Sequence, residues 1–204
     1  MVDKAIAMTV KNYFERKAAA YDKKRSKGFL GWLRKNEKEA VLALADIRKN
    51  EAVLDAGCGE GYYAQLAKEL EAKPFGIDMS AEMIQRLKRK GIPGKACDLE
   101  NCSLKRKFDK IICAGVLEFT KNTGTVIKML ARHLKPEGKL VLLYSRPSIG
   151  TYAYVALHRL HGLRLKIIPR AKLQSLLKEA GLVITAHKKL PLFGGVARAE
   201  REKL

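Results

Sequence analysis

The densest chemical information in the chain is the run Val53-Leu54-Asp55-Ala56-Gly57-Cys58-Gly59-Glu60-Gly61. An aliphatic strand here delivers a carboxylate to its carboxyl end, and three glycines at alternate positions then turn the backbone tightly. Glycine admits unusual φ/ψ angles and lets a ligand approach the main chain closely. In an open α/β sheet, that edge is where ligands bind. The spacing argues against a dinucleotide, whose fingerprint is G-x-G-x-x-G, because the third glycine comes one residue early and Tyr62 stands where it should be. Asp55 would also face a doubly anionic pyrophosphate, and no G-K-[ST] follows to hold a triphosphate. A ligand with a cationic amine and no phosphate suits this carboxylate far better. The second carboxylate, Asp78, comes 21 residues after Gly57 at the end of another apolar run. It can accept both hydroxyl hydrogens of a ribose, or more simply cap the helix that starts near Ser80.

The elements that must position these groups alternate along the chain. Strands are predicted at 52–57, 74–78, 94–100, 108–119 and 139–145. Helices are predicted at 62–72, at 80–91 with Ser80 as its cap, and at 125–134, the last ended by a KPEG turn. This alternation implies βαβ units and a parallel sheet. A helix at 168–181 and strands at 182–190 and 191–200 follow, the two strands close enough to pair antiparallel. The chain divides into a helical prelude (1–50, with helices near 3–20 and 33–48), a core (51–145), and a lid with the final strands (146–204). At 204 residues this is one domain.

The pattern resembles the Rossmann-like S-adenosylmethionine-dependent methyltransferases, closely over about residues 50–145. VLDAGCGEG matches that family's first motif, GIDMS its acidic second motif, and LKPEGKLVLL the turn before its fifth strand. The resemblance implies a seven-stranded, mostly parallel α/β sheet with a last antiparallel strand, helices on both faces and an N-terminal helical extension. It also implies S-adenosylmethionine as cofactor and S-adenosylhomocysteine as product. Asp55, Gly57 and Gly59 would surround the methionine part, Asp78 would hold the ribose, and Met79 would pack on adenine. Asp98 would accept the adenine amino group with the Leu99 amide nearby, and Ala114 and Gly115 would line the cofactor through backbone contacts. In small-molecule members resembling the magnesium-protoporphyrin and quinone methyltransferases, a tyrosine of the prelude closes over the cofactor. Tyr21 is the nearest match, with Tyr13 and Arg25 as further candidates; the simpler role for Tyr13 and Phe14 is packing the prelude onto the sheet.

Methyl transfer from a sulfonium needs mainly positioning and in-line approach, and a general base only for a nucleophile that arrives protonated. The acceptor should approach above the fourth and fifth strands. Glu118, Arg146, Tyr152, Tyr154, His158 and His161 are candidates there, with His158, Glu118 and Tyr154 taken as the catalytic ones. Glu118 is either polar lining or a solvated helix start. His158 and His161 share a helical face but lack a third ligand, so no metal is expected. The aromatic and apolar residues of 146–163 predict a lid for an amphipathic acceptor, or else an ordinary packing helix. The fourth strand ends in CAGV, which argues against amino groups of adenine or glutamine as acceptors.

The chain carries 41 Lys and Arg against 21 Asp and Glu, a net charge of +20. Residues 1–50 contribute +7, residues 51–145 +4 and residues 146–204 +9, so the excess lies outside the cofactor signature. Such a surface confers solubility, or attracts an anionic partner such as an acidic substrate, a lipid surface or a nucleic acid. A small anionic or amphipathic acceptor is preferred to RNA or protein, since no RNA-binding module accompanies the charge. A non-catalytic, cofactor-binding partner subunit is the alternative outside enzymes. No apolar run approaches the roughly 20 residues of a membrane span, and the opening stretch does not read as a secretory signal. A cytoplasmic protein, in peripheral contact with a membrane at most, is therefore expected. Cys58, Cys97, Cys102 and Cys113 lack paired metal-ligand spacing and are expected to be reduced, mostly buried thiols.

Overall fold

The structure, a computed structural model, describes residues 28–160, 165–192 and 194–202. The predicted helix near 3–20, with Tyr13, Phe14, Tyr21 and Arg25, lies outside the described residues, as does His161. In chain order the elements are α1 (Gly28–Ala45), β1 (Ala52–Ala56), α2 (Tyr62–Glu69), β2 (Lys73–Asp78), α3 (Ala81–Arg89), β3 (Gly94–Ala96) and β4 (Phe108–Ala114). A 3₁₀ turn (Leu117–Phe119) precedes α4 (Thr123–His133), β5 (Leu134–Ser145), α5 (Ile149–Leu160), α6 (Arg170–Lys178), β6 (Leu182–Lys189) and β7 (Gly194–Arg201).

The strands form one seven-stranded sheet in the order β3-β2-β1-β4-β5-β7-β6. All pairings from β3 to β5 are parallel, while β7 runs antiparallel between β5 and β6. Successive side chains of a strand point to opposite faces, and the core divides accordingly. Val53, Ile112, Val141 and Val196 meet Ala40, Val41 and Ala45 of α1 on one face. Leu54, Ile111, Leu140 and Leu142 join the core that α4 and α6 cover on the other face, with Ile127, Leu130, Leu173 and Leu177. The central strands are buried on both sides, which explains why they read as unbroken aliphatic runs.

Helix α1 packs on one face of the sheet over β4, β5 and β7. At its carboxyl end Lys139, near the start of β5, bonds Asp46 at 2.7 Å. Eighteen residues rise about 27 Å, and toward the amino end Arg34 lies over the Tyr62 ring, 5.9 Å from its centroid. The first turns of α1 therefore stand at the carboxyl edge of the sheet, beside the glycine turn. No described helix is long and apolar enough to cross a membrane.

Several boundaries differ from expectation for local reasons. The helix expected at 33–48 spans Gly28–Ala45 and stops where Asp46 takes a positive φ of 47°. The strand expected at 94–100 keeps only Gly94–Ala96. The strand expected at 108–119 ends at Ala114, because Gly115 turns left-handed (φ 65°) and leads into the 3₁₀ turn. The KPEG segment is absorbed into β5, whose pairing with β4 is irregular between Phe108 and Lys110. Met83 N–H does donate to Ser80 Oγ, so the predicted cap of the second core helix is present.

The expectation of four reduced cysteines is corrected. Cys58 and Cys113 are free and buried, but Cys97 and Cys102 form a disulfide. The loop between β3 and β4 brings these two sulfurs together, which their sequence separation of five did not announce.

Candidate active site

Strands β2 and β4 flank β1 on opposite sides, so the sheet reverses its order between β1 and β4. A crevice opens at the carboxyl ends of the strands at such a reversal. Asp55, Gly57, Asp78 and Gly115 all lie there.

Asp55 is buried, and its Oδ2 accepts the Ala64 N–H at 2.9 Å from the first turn of α2. Burial raises its carboxyl against this bond, and the Asp78 charge adds to the rise; the result is pushed up to about 7. A buried carboxyl without a cation beside it keeps its proton. A cationic amine entering the crevice would reverse that balance.

The three glycines of the turn divide into two kinds. Gly57, Gly59 and Gly61 all have positive φ, at 72°, 51° and 82°. A Cβ on Gly57 would stand 2.4 Å from Val116 Cγ2, and one on Gly61 would stand 2.1 Å from Leu87 Cδ1. Those two are glycines because the protein itself packs against them. A Cβ on Gly59, or on Gly115 across the crevice, would meet nothing within 4 Å. Open backbone in a left-handed conformation at both positions fits a ligand held against the main chain.

Asp78 accepts the Gly59 N–H and the Ser80 N–H, both at 2.9 Å. The cap of α3 is Ser80 rather than Asp78, whose carboxylate instead fixes the glycine turn and the residue before the helix at the carboxyl edge of the sheet. Met79, next to it, is exposed. Beyond β3, Asp98 is exposed and accepts the Glu100 N–H at 3.0 Å, while Leu99 is buried in the core. The disulfide ties Cys97 to Cys102 across this loop, and Glu100 Oε1 accepts the Lys121 N–H at the entrance to α4.

At the ends of β4 and β5, Glu118 is buried rather than solvated, which corrects the reading of a helix start in water. Its Oε1 accepts the Ser145 N–H at 2.5 Å, whereas its buried Oε2 has no hydrogen-bond partner among the described residues. Burial pushes this carboxyl up against the bond to Ser145, and Glu37 of α1 adds to the rise. In helix α5, Tyr154 and His158 are half-buried with ring centroids 4.0 Å apart, and His158 Nδ1 lies 3.0 Å from the Tyr154 carbonyl oxygen.

Two other lid candidates are not brought inward. Arg146 donates to the carbonyls of Gly194 and Leu190, so its guanidinium anchors the β6–β7 turn. Tyr152 points outward, being exposed. Sequence reasoning passed over Tyr63, whose hydroxyl burial pushes up, with Glu37 and Asp55 adding to the rise and Arg34 opposing it. Glu37 and Arg34 belong to α1, and only tertiary contact brings them to the glycine turn. The run Tyr62-Tyr63 directly after the third glycine was the available signal for that neighbourhood. Among the described residues, no group of three His, Cys, Asp or Glu could hold a metal ion.

A family described as a methyltransferase domain matches residues 29–187. A malonyl-[acyl-carrier protein] O-methyltransferase of Priestia megaterium is 35% identical over 107 residues, covering 50% of this chain and 38% of that protein. A ubiquinone biosynthesis O-methyltransferase of Xanthomonas oryzae is 31% identical over 111 residues, covering 50% of this chain and 45% of that protein. The chain thus spans less than half the length of these two curated relatives. Among solved structures, the magnesium protoporphyrin IX methyltransferase of Synechocystis, with bound S-adenosylhomocysteine, superimposes with a TM-score of 0.77 at 20% identity, covering 96% of this chain and 100% of that one. At that identity the likeness concerns the fold.

Proposed function

Because the chain belongs to the methyltransferase-domain family, we propose that it transfers a methyl group from S-adenosylmethionine to a small acidic or amphipathic acceptor, releasing S-adenosylhomocysteine. One observation carries the cofactor assignment: a buried carboxyl, pushed up to about 7, stands beside open left-handed glycine backbone at the point where the sheet reverses. Beside an ammonium such a group ionises and pairs with it, which is the ligand charge its burial leaves unmet. When bound, S-adenosylmethionine supplies a methyl group on a sulfonium, an electrophile that needs no activation by the protein.

Asp55 would give up its proton to pair with the amino group of the methionine part, Gly59 would leave room for that part beside the main chain, and Gly57, packed on Val116, would turn the backbone around it. Asp78 would accept from the ribose hydroxyls while it holds the turn. Met79, Asp98 and the Leu99 amide would hold the adenine, and Ala114 and Gly115 would add backbone contacts. By the family resemblance, Tyr21 of the prelude, outside the described residues, is proposed to contact the cofactor. On the acceptor side, Glu118, Tyr154 and His158 are the groups able to orient a nucleophile or hold its proton. Glu118 is suited to donate a hydrogen bond, since burial favours its neutral form. The malonyl-[acyl-carrier protein] and ubiquinone-biosynthesis relatives are named for acyl and quinone-pathway acceptors, which supports this acceptor class.

Titration calorimetry tests the cofactor: S-adenosylmethionine and S-adenosylhomocysteine should bind at micromolar levels, and preferential binding of NAD would overturn the reading. Methyl transfer from labelled cofactor to a panel of acidic, quinone-like and RNA acceptors tests the substrate class. Turnover on RNA alone would overturn the small-molecule reading. In the same assay, replacing Tyr154 or His158 should lower turnover and leave cofactor affinity and stability unchanged.

A further inference from the structure

Helix α5 is built inside out. Ile149, Tyr152, Ala153, Ala156 and Leu157 are spaced i, i+3, i+4, i+7 and i+8, which places them along one apolar stripe. A helix of a globular protein turns such a stripe to its core, yet here all five residues are exposed. Ile149 is 91% accessible, Tyr152 60% and Leu157 55%. The inward positions belong instead to Thr151, fully buried with its hydroxyl on the Arg146 carbonyl, and to half-buried Tyr154, Val155 and His158. Ser148 Oγ bonds the Leu192 carbonyl oxygen, so exposed Leu192 of the β6–β7 turn continues the apolar surface at the start of the helix.

The charge around this stripe has one sign. From residue 138 to residue 178 there is no Asp or Glu, against eight Lys and Arg. Ile168 N–H bonds the Ser145 carbonyl oxygen, which brings exposed Arg170 to the end of β5, where α5 begins, whereas Lys166 Nζ turns to the Lys121 carbonyl oxygen near the start of α4. Exposed Lys188 and Lys189 lie at the end of β6, on the same edge, and exposed Arg159 lies in the last turn of α5.

We infer that the outward face of α5, with Leu192, docks on an anionic phospholipid bilayer. An exposed aliphatic stripe bordered by cations matches the boundary between acyl chains and headgroups, where an amphipathic helix lies in the plane of the membrane. A nucleic acid would take up the cations but leave Ile149 and Leu157 without a partner. A second copy would cover the stripe but bring two chains of charge +20 together. The docking face rises from the same sheet edge as Asp55 and Asp78. Resting on the proposed function, an amphipathic acceptor would then pass from the bilayer to the crevice without crossing water.

The experiment is sedimentation of the full chain with phosphatidylcholine vesicles, with and without phosphatidylglycerol, at increasing salt. Binding should require phosphatidylglycerol and weaken as salt rises. The double variant Ile149→Asp, Leu157→Asp should lose about tenfold or more in vesicle affinity, with its melting temperature and cofactor affinity unchanged. Failure to bind vesicles, or equal binding by the variant, would overturn the docking while leaving the methyltransferase reading intact. An oligomer that the variant dissociates would assign the stripe to a second copy. Tighter, stripe-dependent binding of a short RNA would assign it to nucleic acid. Either result overturns the bilayer.

Discussion

Replacing Asp55 with Asn should make the ligand-free protein more stable at neutral and alkaline pH, because the native carboxyl is buried where it resists ionisation. In the unfolded chain this group ionises near its ordinary value of 3.8, and in the fold only near 7. Between those values the unfolded state releases a proton that the native state keeps. Stability therefore falls as pH rises from about 4 to about 7 and levels off above. A shift of about three units corresponds to a loss on the order of 4 kcal/mol across that window. Asn conserves the shape, and its amide oxygen can accept the Ala64 N–H that now bonds Oδ2, so the variant should lack this component alone. Urea unfolding of both proteins, at intervals from about pH 4 to about pH 8, gives the difference directly. Other titrating groups, Glu118 among them, cancel in the comparison. The variant should gain on the wild type as pH rises and lose affinity for S-adenosylmethionine at every pH. Wild-type affinity should improve through about pH 7, where the carboxylate forms. Parallel stability profiles would refute the reasoning, since they would mean that Asp55 ionises in the fold as it does in water.

Three further outcomes follow from particular contacts. Gly57→Ala should cost about 2 kcal/mol or more, because it combines backbone strain with a clash, whereas Gly59→Ala should cost only about 1 kcal/mol of strain; adding Val116→Ala should recover part of the first loss, as a double-mutant cycle of unfolding free energies would record. Asp78→Ala should weaken S-adenosylmethionine and S-adenosylhomocysteine alike, by about 10- to 100-fold in calorimetry, since the variant loses the ribose acceptor and frees the Gly59 and Ser80 amides together. Reductant should lower unfolding stability by about 2 kcal/mol through opening of the Cys97–Cys102 loop and leave a Cys97→Ser, Cys102→Ser variant unaffected; a titration that finds all four thiols free in unreduced, denatured protein would contradict the pairing.

The fold was legible because its signals are local. Aliphatic runs at 52–57 and 108–114 need only the period of a strand to be read, and alternation with helical segments implies the parallel sheet. The glycine turn and the two carboxylates were legible for the same reason: Asp55 and Asp78 are placed by the ends of their own strands. What Asp55 does was not legible, because its protonation depends on the packing that removes it from water. The roles of Gly57 and Gly59 look alike in sequence and differ in space, since Val116, from the turn that follows β4, fills the room beside one and leaves the other open. Glu118 read equally as polar lining or as a solvated helix start, and only the packing at the end of β5 decides that it is buried. The pairing of Cys97 with Cys102 depends on the path of a loop that no periodicity describes. For α5, the chain itself set the apolar stripe and its spacing. The direction in which that stripe faces was decided by Thr151 and Arg146 docking at the end of β5, since a helix carries its own pattern wherever the residues beyond its ends attach it.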